Sequence, residues 1–516
     1  MTQPAKQLLP LMPGTTRARS DDVSETLRAA ATNDVIIAVA GQAGAGATRV
    51  ADALTEGLKK QGYDVIAVKP SELIEVAAVR YDYATAAAFD RKDRLARTRA
   101  LQDAGNALRT KRYPSFVAAL VVESILSKRE ARTETAPLAF VVDSLKNPSE
   151  VECLREIYGR SFYLISVVCG RHVRRSRLQL KYKSPSSEAL DELMERDESE
   201  DSQTGQQVAK TTHLADFFLD NRHVHNQAID PMADALARFI EALTGKSLVR
   251  PNRDETGMYA AWGASLRSAC LSRQVGAAIT GANGDVIATG TNDVPRFGGG
   301  IYEDGGAEDH RCFIHGDAEQ LGGYCRNDQS KKKLLGDVIK KLRDVDAVAP
   351  GTTDVQLTTA LKSTAIADLI EFSRAVHAEM EAIMSLARDG RGSSRGATLY
   401  TTTFPCHSCA RHIVAAGILD VVYYEPYKKS RALALHGDSI EEGEDIPVDG
   451  RKVRFRLFTG IAPRRFYRLF EKRGDLKKDG LYTAPMPPTS HADPIRSLSH
   501  LELERKIAEH VRGEVR

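Results

Sequence analysis

Two short segments, His377-Ala378-Glu379 and Pro405-Cys406-His407-Ser408-Cys409, carry the residue types of a hydrolytic zinc site. One imidazole and the two thiolates of a Cys-x-x-Cys pair supply three ligands. Glu379, two residues after His377, is too close in sequence to serve as a fourth. Three protein ligands leave one tetrahedral position for water, and zinc lowers the pKa of that water from ~15.7 towards ~7. The hydroxide can attack a ring carbon that bears an exocyclic amine. Glu379 then carries a proton from the water to the ring nitrogen and the departing ammonia. The competing reading is a structural zinc knot, which takes four side-chain ligands and has no use for Glu379 or Pro405.

The flanking segments fit the chemical reading. Between Glu371 and Arg388 the apolar residues fall at 372, 376, 380, 383, 384 and 387, which predicts a helix. Ala397–Thr402 reads as a strand and Cys409–Gly417 as a second helix. The cysteines therefore fall at a helix N-terminus, where the dipole favours thiolates.

A second constellation lies near the start. The apolar run Asp34–Ala40 leads into Gly41-Gln42-Ala43-Gly44-Ala45-Gly46-Ala47-Thr48, followed by a helical pattern and a strand at 64–69. Gly41, Gly46 and Thr48 keep the spacing of a phosphate-cradling P-loop, with Gly44 as a further glycine, but Ala47 stands where the motif has lysine. A strand at Leu138–Val142 ends in Asp143, at the place of a magnesium-binding carboxylate. Arg171, Arg174, Arg175 and Arg177 resemble the phosphate-gripping lid of nucleotide kinases. The expectation is nucleotide binding without efficient phosphoryl transfer, with Arg49 a partial substitute for the lysine. An empty βα turn and a true kinase are the alternatives.

The chain has 516 residues, 42% hydrophobic and 27% charged, with a net charge of +3, which suits two or three globular domains. No apolar run approaches the ~20 residues of a membrane span, and no signal-peptide core is evident. Seven cysteines suit a reducing cytoplasm. Residues 1–30 read as a flexible lead, 31–245 as a nucleotide-binding domain, 256–475 as the zinc domain and 476–516 as a Pro-rich tail with a short helix near 495–511. Residues 184–210 read as a mobile surface segment and Gly245–Glu255 as a linker. The expected fold class is α/β, with a mixed sheet flanked by helices in the zinc domain.

Residues 258 to about 472 resemble deoxycytidylate deaminases beyond the zinc motif. Ser268-Ala269-Cys270, Gln274-Val275-Gly276-Ala277, Thr289-Gly290-Thr291-Asn292 and Glu425-Pro426-Tyr427 carry the likeness. The whole chain resembles two-domain deoxycytidine nucleotide deaminases of bacterial anti-phage defence, in which a P-loop kinase-like domain precedes a cytidine-deaminase-like α/β/α domain. That resemblance implies Zn²⁺ bound by His377, Cys406 and Cys409, and Glu379 as proton shuttle. It implies a dCMP or dCTP substrate, a regulatory nucleotide on the first domain, a small inhibitory RNA and a homo-oligomer. It further places Asn292 on the deoxyribose, and Arg388 and Tyr427 at the pocket or an allosteric nucleotide. A second zinc could gather Cys270, Cys312 and Cys325 with His310 or His315. A tRNA or single-stranded DNA deaminase would share the zinc motif but needs a basic, aromatic-studded groove, and aromatics here are 6%. A zinc-containing RNA-binding regulatory protein is the non-enzymatic alternative.

Overall fold

The computed structural model describes residues 34–483, except 132–136, 184, 199–203, 223–229, 246, 305–308, 315–322, 428, 444–450 and 473–475, and scattered positions between 501 and 512. The expected N-terminal lead and nearly all of the tail helix lie outside the described residues.

Val35–Gly41 (β1) is an unbroken run of small and β-branched residues, all buried, as a strand covered on both faces must be. The first half continues through Ala47–Lys60 (α1), Asp64–Val68 (β2), Pro70–Arg80 (α2), Arg94–Lys111 (α3), Phe116–Glu130 (α4), Leu138–Leu145 (β3), Pro148–Tyr158 (α5), Phe162–Val168 (β4), Arg171–Lys181 (α6), Ser187–Glu198 (α7), Val208–His213 (α8), Phe217–Asp220 (β5) and Pro231–Thr244 (α9). Its strands are parallel in the order β5-β4-β1-β3-β2. The order reverses at β1, so a crevice opens beyond its carboxyl end, where the glycine loop lies.

The segment expected to be mobile contains α7. Leu190, Leu193 and Met194 recur at helical spacing and are buried, two of them packed with Leu178 of α6. Acidic and serine-rich flanks hide that short apolar stripe in the sequence.

The second half runs through Arg253–Ser265 (α10), Gly276–Thr280 (β6), Val286–Thr291 (β7), Arg326–Asp344 (α11), Asp354–Lys362 (α12), Ala378–Asp389 (α13), Thr398–Thr403 (β8), His407–Ala415 (α14), Asp420–Glu425 (β9), Ala432–Leu435 (α15), Ile440–Glu442 (β10), Val453–Leu457 (β11), Gly460–Ile461 (β12) and Pro463–Phe470 (α16). The second sheet is mixed, in the order β10-β11-β9-β8-β6-β7; β6 runs antiparallel to both neighbours and the rest are parallel. Helix α10 starts inside the expected linker, because Asn252 and Glu255 close a capping box around its first turn.

The two halves are tied together by that same Glu255. It is fully buried, pairs with Arg238 of α9 at 2.6 Å and accepts the Ile461 backbone N–H at 2.8 Å. This places β12, which follows β11 in the chain, antiparallel to β5 on the edge of the first sheet. Beside it, fully buried Asp216 binds Arg155 and Arg465 at 3.0 and 3.1 Å and accepts the Leu164 N–H at 2.8 Å. Phe218, Tyr424 and Phe458 pack together over this seam.

Burial pushes the Asp216 carboxyl up, but Arg465 and Arg155 outweigh it and the net shift is downward. The stability it contributes is therefore complete above the unfolded value of ~3.9 and is lost as pH falls through the lower folded value. Arg465→Met removes one partner of a buried charge and is expected to cost about 3–5 kcal/mol. Urea unfolding at pH 7 measures this, and a loss below ~1 kcal/mol would mean that this pair does not hold the seam.

Candidate active site and metal centre

His377 is the N-cap of α13, and Cys406 is the N-cap of α14 with its sulfur accepting the Cys409 N–H. Strand β8 delivers Cys406 directly after Pro405, so two helix N-termini converge on one point. Residues 371–376, expected as the first turns of α13, are not helical; Val376 instead bridges to Asp293.

The close fit of α13 on the sheet depends on Gly290 in β7. A Cβ there would meet the Ala378 carbonyl at 2.1 Å and the Ala382 nitrogen at 2.3 Å. The backbone of α13 therefore rests on the strand immediately after the His377 N-cap.

The ligand atoms of His377, Cys406 and Cys409 lie within 4.8 Å of one another, and His377 Nδ1 is 3.3 Å from each sulfur. Zinc–sulfur and zinc–nitrogen bonds of about 2.3 and 2.1 Å at tetrahedral angles need a nitrogen–sulfur separation of ~3.6 Å, so the residues fit the metal. Among the described residues this is the single group of three or more such side chains able to hold one. Hydrogen bonding from Cys409, and then the charge of His377, lowers the Cys406 thiol to about 4. The hydrogen bond to Cys406 raises His377 to about 9, and the same contact with burial raises Cys409. Zinc binds thiolates and a neutral imidazole, so metal uptake by these three side chains releases protons.

Glu379 is 4% exposed and its Oε2 accepts from Cys409 Sγ at 3.5 Å. Burial raises its carboxyl above the usual range. It opens with His377 and Cys406 onto a cavity of about 190 Å³ that Asn292, Phe404 and Tyr427 also line. Asn292 sits on the wall, with Oδ1 accepting from Val275 N and Nδ2 donating to Arg273 O, each at 2.6 Å. One amide hydrogen remains for a ligand. Arg388 does not line this cavity. It lies in the last turn of α13, pairs with Glu381 at 3.3 Å and Asp389 at 3.5 Å, and is about 16 Å of helix from His377.

Sequence reasoning missed Arg273, which lines the cavity and pairs with Glu425 at 3.2 Å. It also missed the roof that the insertion 293–376 supplies through Asn327, Ile370, Ser373 and Ala375. Asn327 Nδ2 donates to Leu369 O, while its Oδ1 is buried without a partner. No motif marks these residues; their placement depends on how the insertion folds back. Cys270, Cys312 and Cys325 do line one small cavity next to the site, but their sulfurs do not form a ligand group among the described residues. His310 packs its ring against Tyr302 instead of lining that cavity, and His315 lies outside the described residues.

Three ligands, an adjacent buried carboxylate and a nucleoside-sized cavity define the class of zinc-dependent hydrolytic deaminases. Residues 251–425 match the family described as the cytidine and deoxycytidylate deaminase zinc-binding region. The chain is 33% identical over 167 residues to the deoxycytidylate deaminase of Enterobacteria phage T4, covering 32% of this chain and 75% of the phage protein. The chain belongs to the deoxycytidylate deaminase family, and its cofactor is zinc. A crystal structure of the dCMP deaminase from cyanophage S-TIM5 in complex with dCMP and dUMP is 20% identical, covering 40% of this chain and 98% of that one, with a TM-score of 0.23. The first half is similar to a UPF0200 protein of Methanosarcina acetivorans, 40% identical over 67 residues, which cover 13% of this chain and 36% of that protein. No described helix is long and apolar enough to cross a membrane.

Gly290→Val should drive α13 off the sheet. Purified variant is expected to hold well under one zinc per chain by elemental analysis and to lose about 1–3 kcal/mol of stability. Full zinc occupancy would show that α13 can be displaced without disturbing the ligands.

Proposed function

We propose that the chain hydrolytically deaminates deoxycytidine nucleotides, dCMP and dCTP, to the corresponding deoxyuridine nucleotides and ammonia. The observation that carries this reading is Glu379, buried beside the ligand sulfurs on the wall of a cavity of about 190 Å³. His377, Cys406 and Cys409 would hold the zinc, which would supply a Lewis acid able to ionise water near neutral pH. Glu379, its carboxyl raised by burial, takes one proton from water and passes it to the ring nitrogen, then takes a second from the hydroxyl added to the ring carbon and passes it to the amine, which leaves as ammonia. The free hydrogen of Asn292 Nδ2 meets the sugar, Tyr427 and Phe404 wall the base, and half-exposed Arg273 meets the 5′-phosphate. Family membership supports the monophosphate. The triphosphate, and a role in draining the dCTP pool against phage, rest on the two-domain resemblance.

In this reading the first domain is a regulatory nucleotide site and not a phosphotransferase, a small RNA restrains the enzyme, and the active form is a homo-oligomer. A ligand on the first domain controls deamination only if its affinity differs between active and inactive states.

Purified protein incubated with dCMP, dCTP, CTP and a cytosine oligonucleotide should yield uracil products from the deoxynucleotides above all. Comparable turnover of the oligonucleotide would move the chain to the polynucleotide deaminases. Glu379→Ala should cut kcat by at least ~10²-fold while keeping one zinc, whereas Cys406→Ala should lose the metal. Loss of zinc from Glu379→Ala would overturn its assigned role.

Arg273→Ala should raise KM for dCMP about ten-fold or more and barely change turnover of deoxycytidine, which has no phosphate to lose. Equal losses on both substrates would remove Arg273 from the phosphate.

A further inference from the structure

The glycine loop lacks its lysine in sequence, yet an ammonium stands against it in space. Lys146, just past the end of β3, places Nζ 3.1 Å from the Gly41 carbonyl at the start of the loop. Its backbone N–H is fixed by Glu150 at 2.8 Å, and Glu150 is itself buried against Arg109 at 2.6 Å. Arg49 does not play this part, because it pairs with Asp230 at 3.0 Å. Two arginines of α6 reach the same loop: Arg174 donates to Ala43 O and Arg177 to Ala45 O, at 3.4 and 3.3 Å. Loop, Lys146, Arg177 and Asp143 line one cavity of about 550 Å³.

A carboxylate occupies the anion position of this loop. Asp197 of α7 is 2% exposed; one oxygen accepts the Ala43 N–H at 2.6 Å and the other accepts Lys146 Nζ at 2.8 Å. A loop amide and an ammonium converging on one pair of oxygens is the donor set that a phosphate group takes. On the wall of the same cavity, Gln102 is 4% exposed and its Oε1 is buried without a partner, while its Nε2 donates to Gln206 at 3.4 Å. An orphaned buried acceptor is costly unless a ligand donor meets it.

We propose that Gly41–Thr48 with Lys146 in place of the loop lysine binds the polyphosphate of a nucleotide, and that Asp197 holds this seat closed when no ligand is present. Two anions cannot share the Ala43 amide and Lys146, so phosphate entry expels Asp197 and with it the end of α7. The loop amides and Lys146 then take the phosphates, and Gln102 faces the base. Binding is coupled to movement of α7 away from the loop, which gives the ligand different affinities for the closed and open states. The proposal rests on the reading of the first domain as a nucleotide site and names its cation and its gate.

The test is calorimetric titration of the full-length, zinc-loaded protein with ATP and, separately, inorganic tripolyphosphate. Asp197→Asn removes the competing charge and should tighten both probes at least ten-fold. Lys146→Met should weaken both at least ten-fold, and adding Ala47→Lys to it should restore most of the loss. Zinc content and melting temperature report whether each variant is folded. If Asp197→Asn does not fold, the Lys146→Met and Ala47→Lys pair decides. Binding of ATP but not tripolyphosphate, no weakening in Lys146→Met, or a folded Asp197→Asn that binds no tighter than wild type would each overturn the proposal. Turnover of dCMP, assayed in parallel, tests the zinc-site reading separately, so a failure at the loop is distinguishable from a failure at the metal.

Discussion

The positive ends of helices organise the chemistry of this chain. At the zinc site the N-termini of α13 and α14 meet, with His377 and Cys406 as their N-caps. The dipoles and unpaired amides there favour thiolate over thiol, which a cation-binding site of Cys and His requires. In the first half α1 is capped by Gly46, whose φ of 92° turns the chain into the helix, and the Ala43 amide of its loop meets a carboxylate. Helices α1 and α14 each follow a strand of their sheet, and α13 rests on β7 at Gly290, so the sheets fix where the helix ends sit.

The seam between the halves follows from a second constraint, that a buried charge needs partners. Glu255 and Asp216 are fully buried, and each is held by at least one guanidinium and at least one backbone N–H. Removing any partner strands a charge in a low-dielectric interior, so the pair favours one arrangement of β12 on β5 over others. A domain division at 245–256 therefore describes the chain's order in sequence; in space, residues 460–470 pack with both halves.

Much of the catalytic site was legible because its signals are local. His377, Glu379, Cys406 and Cys409 come from two short segments, the periodicity places the two cysteines at a helix start, and the structure gathers all four. The glycine loop was legible for the same reason. Arg388, read as a pocket or allosteric residue, stands outside the cavity because a helix carries a residue eleven positions on to its opposite end. Helix α7 was missed because a three-residue apolar stripe is diluted by the acidic residues around it.

By itself the sequence determined which chemistry is available: zinc ligands, a carboxylate beside them, and a glycine-rich turn without its lysine. Ligand spacing and helix-start residues are properties of neighbouring positions, so they survive without a fold. Only the tertiary structure decided that Lys146 stands where position 47 lacks a cation, that Asp197 closes the same loop, and that Asn327 and Arg273 complete the zinc cavity. Those contacts join residues 51 to 154 positions apart, or depend on the path of a long insertion. A charge acts through distance in space, and no local pattern encodes that distance.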